Sequence, residues 1–317
     1  MKGYRILWFA VALCVAALPA RGGERHRHGM NVSMSHEGPI DSCRQIRITF
    51  GDVDAERAEE TFTVATPRSG LRFRAPSNSG VFVYGASRSD VEVTACKAAA
   101  YPEDLARISV SADNGDLQAR GPEGGDWVVH FIVRAPRSEG LDLEVNNGPL
   151  SVRGMTGAVT ARALNGPVSL QDSSGQIRAE AKNGPISVKE CTGTVQASAV
   201  NGPISVSGSS GDVTVTTQNG PISVRLAGDH WSGKLDAQAS NGPLSLSIPD
   251  GYSSGVRVEG SGRSPFQCRA KACDEARKNW TDDSRTVEFG DAASTVVRLS
   301  TVNGPVSIKS QHSDDED

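Results

Sequence analysis

The tripeptide Asn-Gly-Pro recurs along the second half of the chain at a nearly constant interval. Four successive intervals are 18 residues long, the next is 22, and the last copy follows a long insertion. The copies begin at Asn147, Asn165, Asn183, Asn201, Asn219, Asn241 and Asn303. Each copy is followed by an aliphatic residue, a serine and a second aliphatic residue, and a glycine marks the other half of each unit. Each unit therefore predicts two turns and two short strands.

Aliphatic and polar residues alternate within one unit, so that one set of side chains faces inward and the other outward. We expect Ile186 and Val188 inside the first strand of a unit and Val195, Ala197 and Ala199 inside the second. Because alanine dominates the second inner face, the enclosed space must be thin. The 34 glycines, the 5% aromatic share and the scarcity of helical periodicity indicate an all-β class.

Two topologies fit such units: a parallel β-solenoid, in which each two-strand unit of about 18 residues is one coil stacked on the last, and an antiparallel meander. In the solenoid, equivalent residues lie about 4.8 Å apart, so like charges would repel along a column. The outward column that holds Arg153, Lys189 and Arg225 carries a cation only at every other coil. In another outward column, the two charged neighbours Arg162 and Glu180 have opposite signs, so they attract each other. Both columns favour the parallel β-solenoid.

The identity of the corner residues also has a physical explanation in a parallel stack. Each asparagine can bond its side-chain amide to the asparagines of the coils above and below, which would satisfy buried amides. The glycine supplies a backbone angle that other residues resist, and proline is tolerated at the first residue of a strand. We therefore predict that the seven asparagines form a structural ladder. A meander gives no reason for such strict identity.

The repeat also sets the predicted organisation of the chain. Residues 135–309 form the regular solenoid, with an insertion at 252–295 that covers its C-terminal end, and residues 310–317 form an acidic disordered tail. Residues 43–134 are expected to form more irregular coils of the same kind. Their predicted inward side chains include Val81, Val83, Val91 and Val93. A cover is expected at the end of the stack because exposed strand edges invite aggregation.

The beginning of the chain predicts export. Residues 1–20 have two cations, an apolar run and then small residues, which is the layout of a secretory signal peptide. The apolar run is shorter than the roughly 20 residues of a membrane span, so we expect no transmembrane anchor. Residues 21–42 are expected to form a flexible leader. The formal charge of −4, without a basic stripe, argues against a nucleic-acid partner. These features predict a protein of the periplasm, the cell surface or the extracellular space.

Five cysteines remain after the predicted cleavage. In an exported chain, Cys268 and Cys273 can staple a local loop, and Cys43 and Cys96 can tie the two ends of the first segment. The fifth, Cys191, is left over and is expected to be a small buried residue. A zinc site at the close pair would need a second pair or nearby histidines, and the sequence has neither. Disulfide bonds are the favoured interpretation.

Several stretches resemble a known bacterial family. The glycine-punctuated coils, the stretch "EETFTV" and the segment "HFIVRAP" that leads into the regular repeats resemble the putative-adhesin family of β-strand-repeat proteins. The resemblance covers roughly residues 58–309. It implies a β-strand-repeat fold and an adhesin-like role, and it brings no catalytic signature. The strict Asn-Gly-Pro corner and the cysteine-bearing insertion depart from the family pattern.

Three functions remain open from the sequence. The favoured one is an exported, non-catalytic solenoid with an adhesin-like interaction or an envelope-structural role, bound to an unidentified protein or glycan. The second is a carbohydrate-active enzyme on a parallel β-helix, although the outward columns offer no acid and base pair and we name no catalytic residue. The third is copper binding by the leader, which would use imidazole and thioether ligands. Its candidate ligands are His26, His28, Met30, Met34 and His36. We predict no cofactor and no calcium-binding coils, because aspartate recurs in no column.

Overall fold

The protein consists mainly of two long β-sheets that face each other. The computed structural model describes residues 29–34, 39–65, 70–113, 116–291 and 294–311. One long sheet has twelve strands (sheet I) and the other has eleven (sheet II). The predicted signal peptide at 1–20 and the acidic residues 312–317 lie outside the described residues.

The N-terminal part of the chain builds a small antiparallel sheet and the first strands of both long sheets. The small sheet contains β1 (Met30–Met34), β2 (Ile46–Phe50) and β3 (Val53–Asp54). The next elements are β4 (Glu56–Val64), β5 (Leu71–Arg74), β6 (Val81–Ala86), β7 (Val91–Ala99), α1 (Pro102–Leu105), β8 (Ser109–Asp113), β9 (Asp116–Arg120) and β10 (Trp127–Pro136). Part of the leader predicted to be flexible is therefore strand β1, which pairs with β2.

From residue 141 onward the chain alternates between the two long sheets and adds one strand to each per coil. The strands in sheet II are β11 (Leu141–Asn147), β13 (Val159–Asn165), β15 (Ser174–Asn183), β17 (Thr192–Asn201), β19 (Gly211–Asn219) and β21 (Gly233–Asn241). The strands in sheet I are β12 (Leu150–Arg153), β14 (Val168–Gln171), β16 (Ile186–Lys189), β18 (Ile204–Ser207), β20 (Ile222–Arg225) and β22 (Leu244–Ile248). Neighbouring strands are parallel and in register, asparagine beside asparagine. The predicted parallel β-solenoid is confirmed.

Within residues 43–134, one segment continues the solenoid and the rest does not. Strands β5 and β6 pair in parallel with β11 and β12, so residues 71–86 form a coil of the stack. Strand β7 instead pairs in antiparallel fashion with β4 on one side and β10 on the other, at the end of sheet I, and β10 joins this group to β6 by parallel pairing. Val91 and Val93 are fully buried, as expected for inward residues, but they belong to this antiparallel group rather than to a coil. The expectation of coils throughout this region therefore holds only for residues 71–86.

A second apolar layer explains the antiparallel group. Strand β10 is buried on both faces over most of its length. One face, with Phe131, packs on the solenoid core, and the other, with Ile132, packs on Ile48 and Phe50 of the small sheet. The sequence of a strand that is covered on both faces is a continuous apolar run. It has no alternation of apolar and polar residues from which a coil could be predicted.

The C-terminal insertion covers the last coil. The final coil consists of β27 (Thr295–Asn303) and β28 (Val306–Ser310), and it pairs directly with β21 and β22. The insertion forms β23 (Gly255–Ser261), β24 (Phe266–Cys268), β25 (Arg277–Trp280) and β26 (Ser284–Phe289), which extend both sheets beyond that coil. The predicted cap is thus observed at the end of the stack. Phe266 packs edge-on against Trp280 within it, with ring centroids 5.2 Å apart.

The core between the sheets is narrow and apolar. Ile186, Val188, Val195, Ala197 and Ala199 are all buried, as the alternation predicts. The alanines leave little distance between the two sheets in the middle of the stack. Burial of this continuous column is the main source of stability, at about 25 cal/mol per Å² of apolar surface.

Candidate functional site

The seven predicted ladder asparagines lie in one line at a corner of the coils. The Nδ2 of each donates to the Oδ1 of the asparagine one coil earlier, at 2.8 to 3.1 Å. The line continues to a residue outside the Asn-Gly-Pro pattern: the Nδ2 of Asn147 donates to the Oδ1 of Asn78 at 3.2 Å. Six of the seven are exposed and Asn165 is half-buried, so the amides bond to one another at the surface rather than in a buried corner.

The glycine after each ladder asparagine is required by close contact between coils. A Cβ added to Gly202 would lie 2.0 Å from the carbonyl oxygen of Gly184, which is the equivalent glycine one coil earlier. Gly202 itself has no left-handed φ. The backbone angle invoked from the sequence is therefore not the general reason for glycine here. Stacking of glycine on glycine excludes a side chain at this corner.

The four cysteines proposed as disulfide candidates form two bonds. The bond between Cys43 and Cys96 joins the short turn before β2 to β7, and the bond between Cys268 and Cys273 closes a short loop in the cap. The first bond connects residues 53 positions apart, so it constrains a long loop. Both bonds fit an oxidising compartment.

Cys191 occupies a position that serine fills in the neighbouring coils. Its backbone N–H donates to the hydroxyl of Ser209 at 3.1 Å, and its thiol donates to the carbonyl of Lys189. The hydroxyl of Ser173, one coil earlier, accepts the backbone N–H of Met155 and donates to the carbonyl of Gln171. Burial raises the pKa of the Cys191 thiol to about 11, so the thiol stays protonated and is a poor nucleophile.

An open trough lies on the outside of sheet II, and we name it the outer trough. Its volume is about 760 Å³. It forms where each strand of sheet II approaches the asparagine corner, because the pairing ladder skips the residue just before each asparagine. One wall is the column Glu144, Arg162, Glu180, Ser198, Thr216 and Gln238. The other wall is the column Asn146, Leu164, Lys182, Val200, Gln218 and Ser240. The trough therefore crosses six coils, a length of about 24 Å at the usual strand spacing.

The N-terminal half of the outer trough is charged and internally paired. Arg162 lies 2.6 Å from Asp142 and 3.4 Å from Glu180, which also pairs with Arg178. Glu144 pairs with Arg74 at 3.7 Å. The carboxylates that face this half are thus held in ion pairs.

The remaining coils form the neutral section of the outer trough. Its six side chains are uncharged: Ser198, Val200, Thr216, Gln218, Gln238 and Ser240. Gln238 donates to Asp236 on its own strand at 3.1 Å. The side chains of Ser198, Thr216, Gln218 and Ser240 form no hydrogen bond with any residue that the structure describes. The sequence identified the first wall as an outward column but not the second. The second wall depends on the bend before each asparagine, for which the repeat pattern carries no signal.

One buried histidine lies away from the trough. The Nδ1 of His130 accepts the backbone N–H of Gly80 at 2.8 Å, and its Nε2 is buried without a hydrogen-bond partner among the described residues. Burial lowers the pKa of His130 to about 4, so the ring is neutral at physiological pH.

The other sequence candidates give no site in the described residues. His26, His28 and His36 of the proposed copper leader lie outside the described residues, and Met30 and Met34 begin and end strand β1. Within the described ranges, no group of three or more His, Cys, Asp or Glu residues is placed to hold a metal ion. In the same ranges, no helix has the length and apolar character that a membrane crossing requires.

A family model matches residues 51–309, which is most of the chain and includes the whole solenoid. The chain belongs to the Toastrack DUF4097 family. No curated protein is significantly similar to it. Among solved structures it resembles a "putative cell adhesion protein" from Clostridium sporogenes, with 11% identity, 81% of this chain and 100% of that chain covered, and a TM-score of 0.24. It also resembles a "putative adhesin" from Bacteroides fragilis, with 10% identity, 80% and 97% coverage, and a TM-score of 0.26.

Proposed function

We propose that this protein is an exported, non-catalytic interaction protein of the cell envelope. The observation that carries the proposal is the outer trough, a continuous surface that crosses six coils of a rigid stack. A partner laid along it would contact the same type of position in each coil. Such an extended surface is typical of solenoid proteins that bind other molecules.

Two further observations support the proposal. The disulfide bonds of Cys43 with Cys96 and of Cys268 with Cys273 suit a protein that leaves the reducing cytoplasm. The carboxylates beside the trough are occupied in ion pairs with arginine, whereas glycoside cleavage needs an acid and a base or nucleophile that face the substrate. The interaction role therefore has more support than the carbohydrate-active enzyme.

Cell fractionation combined with crosslinking tests the proposal. The full chain, expressed in its native cells, should be recovered outside the cytoplasm with Cys43 and Cys96 oxidised, and it should crosslink to an envelope component. A chain that lacks residues 1–20 is the matched control and should remain inside with reduced thiols. Recovery of the full chain in the cytoplasm, or the absence of any crosslinked envelope component, would contradict the proposal.

The enzyme alternative has its own test. Incubation of the purified protein with polysaccharides should release no new reducing ends. Suppose instead that the unchanged protein releases reducing ends. Loss of this activity in a Glu180→Gln variant, but not in a Glu259→Gln variant changed in the cap, would favour the enzyme.

A further inference from the structure

We infer that the neutral section of the outer trough binds an uncharged polysaccharide laid along the axis of the solenoid. The inference rests on the proposed interaction function and names the chemical class of the partner. It depends on three properties of the neutral section: unused hydrogen-bonding groups, a floor of strands that each have a partner strand on both sides, and uncharged wall side chains.

The first property is hydrogen-bonding capacity. The hydroxyls of Ser198, Thr216 and Ser240 and the amide of Gln218 can both donate and accept, and none of these side chains has a partner among the described residues. Sugar hydroxyls likewise donate and accept. A sugar chain could therefore replace the water on these groups without leaving a donor or acceptor unpaired.

The second property is the floor of the trough. Strands β17, β19 and β21 are each paired with a neighbour on both sides. An extended peptide cannot add to them by backbone pairing, which is the usual way in which a sheet binds a peptide strand. Recognition must come from side chains. These recur about every 4.8 Å along the axis, as suits a polymer with regularly spaced hydroxyls.

The third property is charge. The neutral section itself carries none, and the adjacent charged coils present Glu180 already paired with Arg162 and Arg178. An anionic polymer would meet these carboxylates and that of Asp236, which accepts a hydrogen bond from Gln238. Of the two wall cations, Arg162 is already in ion pairs, and Lys182 is the other. Val200 lies between the polar groups and offers an apolar contact to the C–H face of a sugar ring. The pattern fits an uncharged chain better than an acidic one.

Native affinity electrophoresis tests the inference. Polysaccharide is extracted from the envelope of the producing cells and separated by anion exchange into a neutral and an acidic fraction, and each fraction is cast into a native gel. The full protein should be retarded in the gel with the neutral fraction and not in the gel with the acidic fraction. Laminarin and mannan serve as defined neutral probes.

A pair of matched triple variants locates the binding surface. Ser198→Ala, Thr216→Ala and Gln218→Ala together remove three polar groups of the neutral section. Together they should weaken retardation by about tenfold or more, as expected for three lost hydrogen bonds. The control changes Ser187, Ser205 and Ser223 to alanine on the outside of sheet I, and it should bind like the unchanged protein. Circular dichroism of both variants verifies that the fold is intact.

The outcomes separate this inference from the proposed function. Retardation by the neutral fraction that is lost only in the trough variant supports the inference. Retardation by the acidic fraction alone, equal loss in both variants, or no retardation by any neutral polysaccharide overturns it. If the protein still crosslinks to a protein component of the envelope, the interaction function stands while the polysaccharide inference fails. If the protein is neither exported nor crosslinked, the proposed function fails as well.

Discussion

The glycine corner permits a sharp test of how closely the coils are stacked. In Gly202→Ala, the new Cβ would lie 2.0 Å from the backbone carbonyl oxygen of Gly184. The backbone fixes the positions of both atoms, so no side-chain rotation can relieve the contact. The two coils must separate locally by about 1.4 Å to reach ordinary van der Waals contact, which begins near 3.4 Å. The substitution therefore acts on the joint between coils rather than on one residue.

The cost follows from the bonds that cross this joint. The N–H of Gly184 donates to the carbonyl of Asn201 at 3.0 Å, and that of Ile186 donates to the carbonyl of Pro203 at 2.9 Å. One asparagine rung joins the same two coils at 2.9 Å. A local separation of that size lengthens all three bonds beyond useful range. At about 1 kcal/mol for each backbone bond and about 0.5 kcal/mol for the exposed amide rung, we expect a loss of about 2.5 kcal/mol in the free energy of unfolding.

Urea unfolding followed by circular dichroism measures this loss, and Gly140→Ala is the matched control. A Cβ at Gly140 has no neighbour closer than 3.9 Å, and this glycine has no left-handed φ. The control should therefore be neutral or slightly stabilising, by up to about 1 kcal/mol. If Gly202→Ala costs less than about 1 kcal/mol, or no more than the control, the coils are not stacked as closely as described.

Three other predictions concern the ladder, the first disulfide and the buried histidine. Asn201→Ala removes two amide hydrogen bonds and Asn303→Ala removes one. Urea unfolding should therefore show a free energy of unfolding that is lower by about 1 kcal/mol in Asn201→Ala and by about 0.5 kcal/mol in Asn303→Ala. Equal losses would contradict the ladder. Replacing Cys43 and Cys96 by serine opens a loop of 53 residues and should lower the free energy of unfolding by about 4 kcal/mol. An unchanged urea midpoint would show that the bond does not constrain the unfolded chain. Because His130 takes up a proton near pH 4 when folded and near pH 6.5 when unfolded, stability should fall by on the order of 3 kcal/mol as the pH drops through this window. His130→Gln should remove that part of the pH dependence, and an unchanged pH profile would refute the assignment.

The regular coils could be predicted from sequence because one short motif reports their contacts directly. Each Asn-Gly-Pro corner stacks on the next, so the 18-residue interval is the length of one coil. In the first coil the sequence predicts Val81 and Val83 as inward residues but does not predict Asn78 as part of the ladder. Asn78 is followed by Ser-Gly instead of Gly-Pro and lies 69 residues before the next ladder asparagine. Its position in the stack depends on pairing across a long excursion of the chain, which local pattern cannot report.

The antiparallel strands and the outer trough could not be predicted for different reasons. Strand β10 is covered on both faces, so alternation, the property that reveals a coil strand, is absent there. Strand β7 does alternate at Val91 and Val93, but alternation does not report whether a strand pairs in parallel or antiparallel fashion. The trough depends on a bend at the residue before each ladder asparagine. Leu164 and Val200 lie at this bend, and alternation alone does not place their side chains opposite the first wall. Both features arise from contacts between distant segments rather than from the local order of residues.

The last coil has a consequence for how such a protein can vary. After Ile248 the chain first builds strands β23 to β26 of the cap. The strand that begins at Thr295 nevertheless pairs with β21 in the same register as an ordinary coil, and Asn303 bonds to Asn241 at 2.9 Å. The pairing of strands between two coils therefore does not depend on the length of the segment that connects them. A foreign domain could be spliced into that connection while the rod keeps its pitch, so the length of the rod and whatever it carries can change independently of each other.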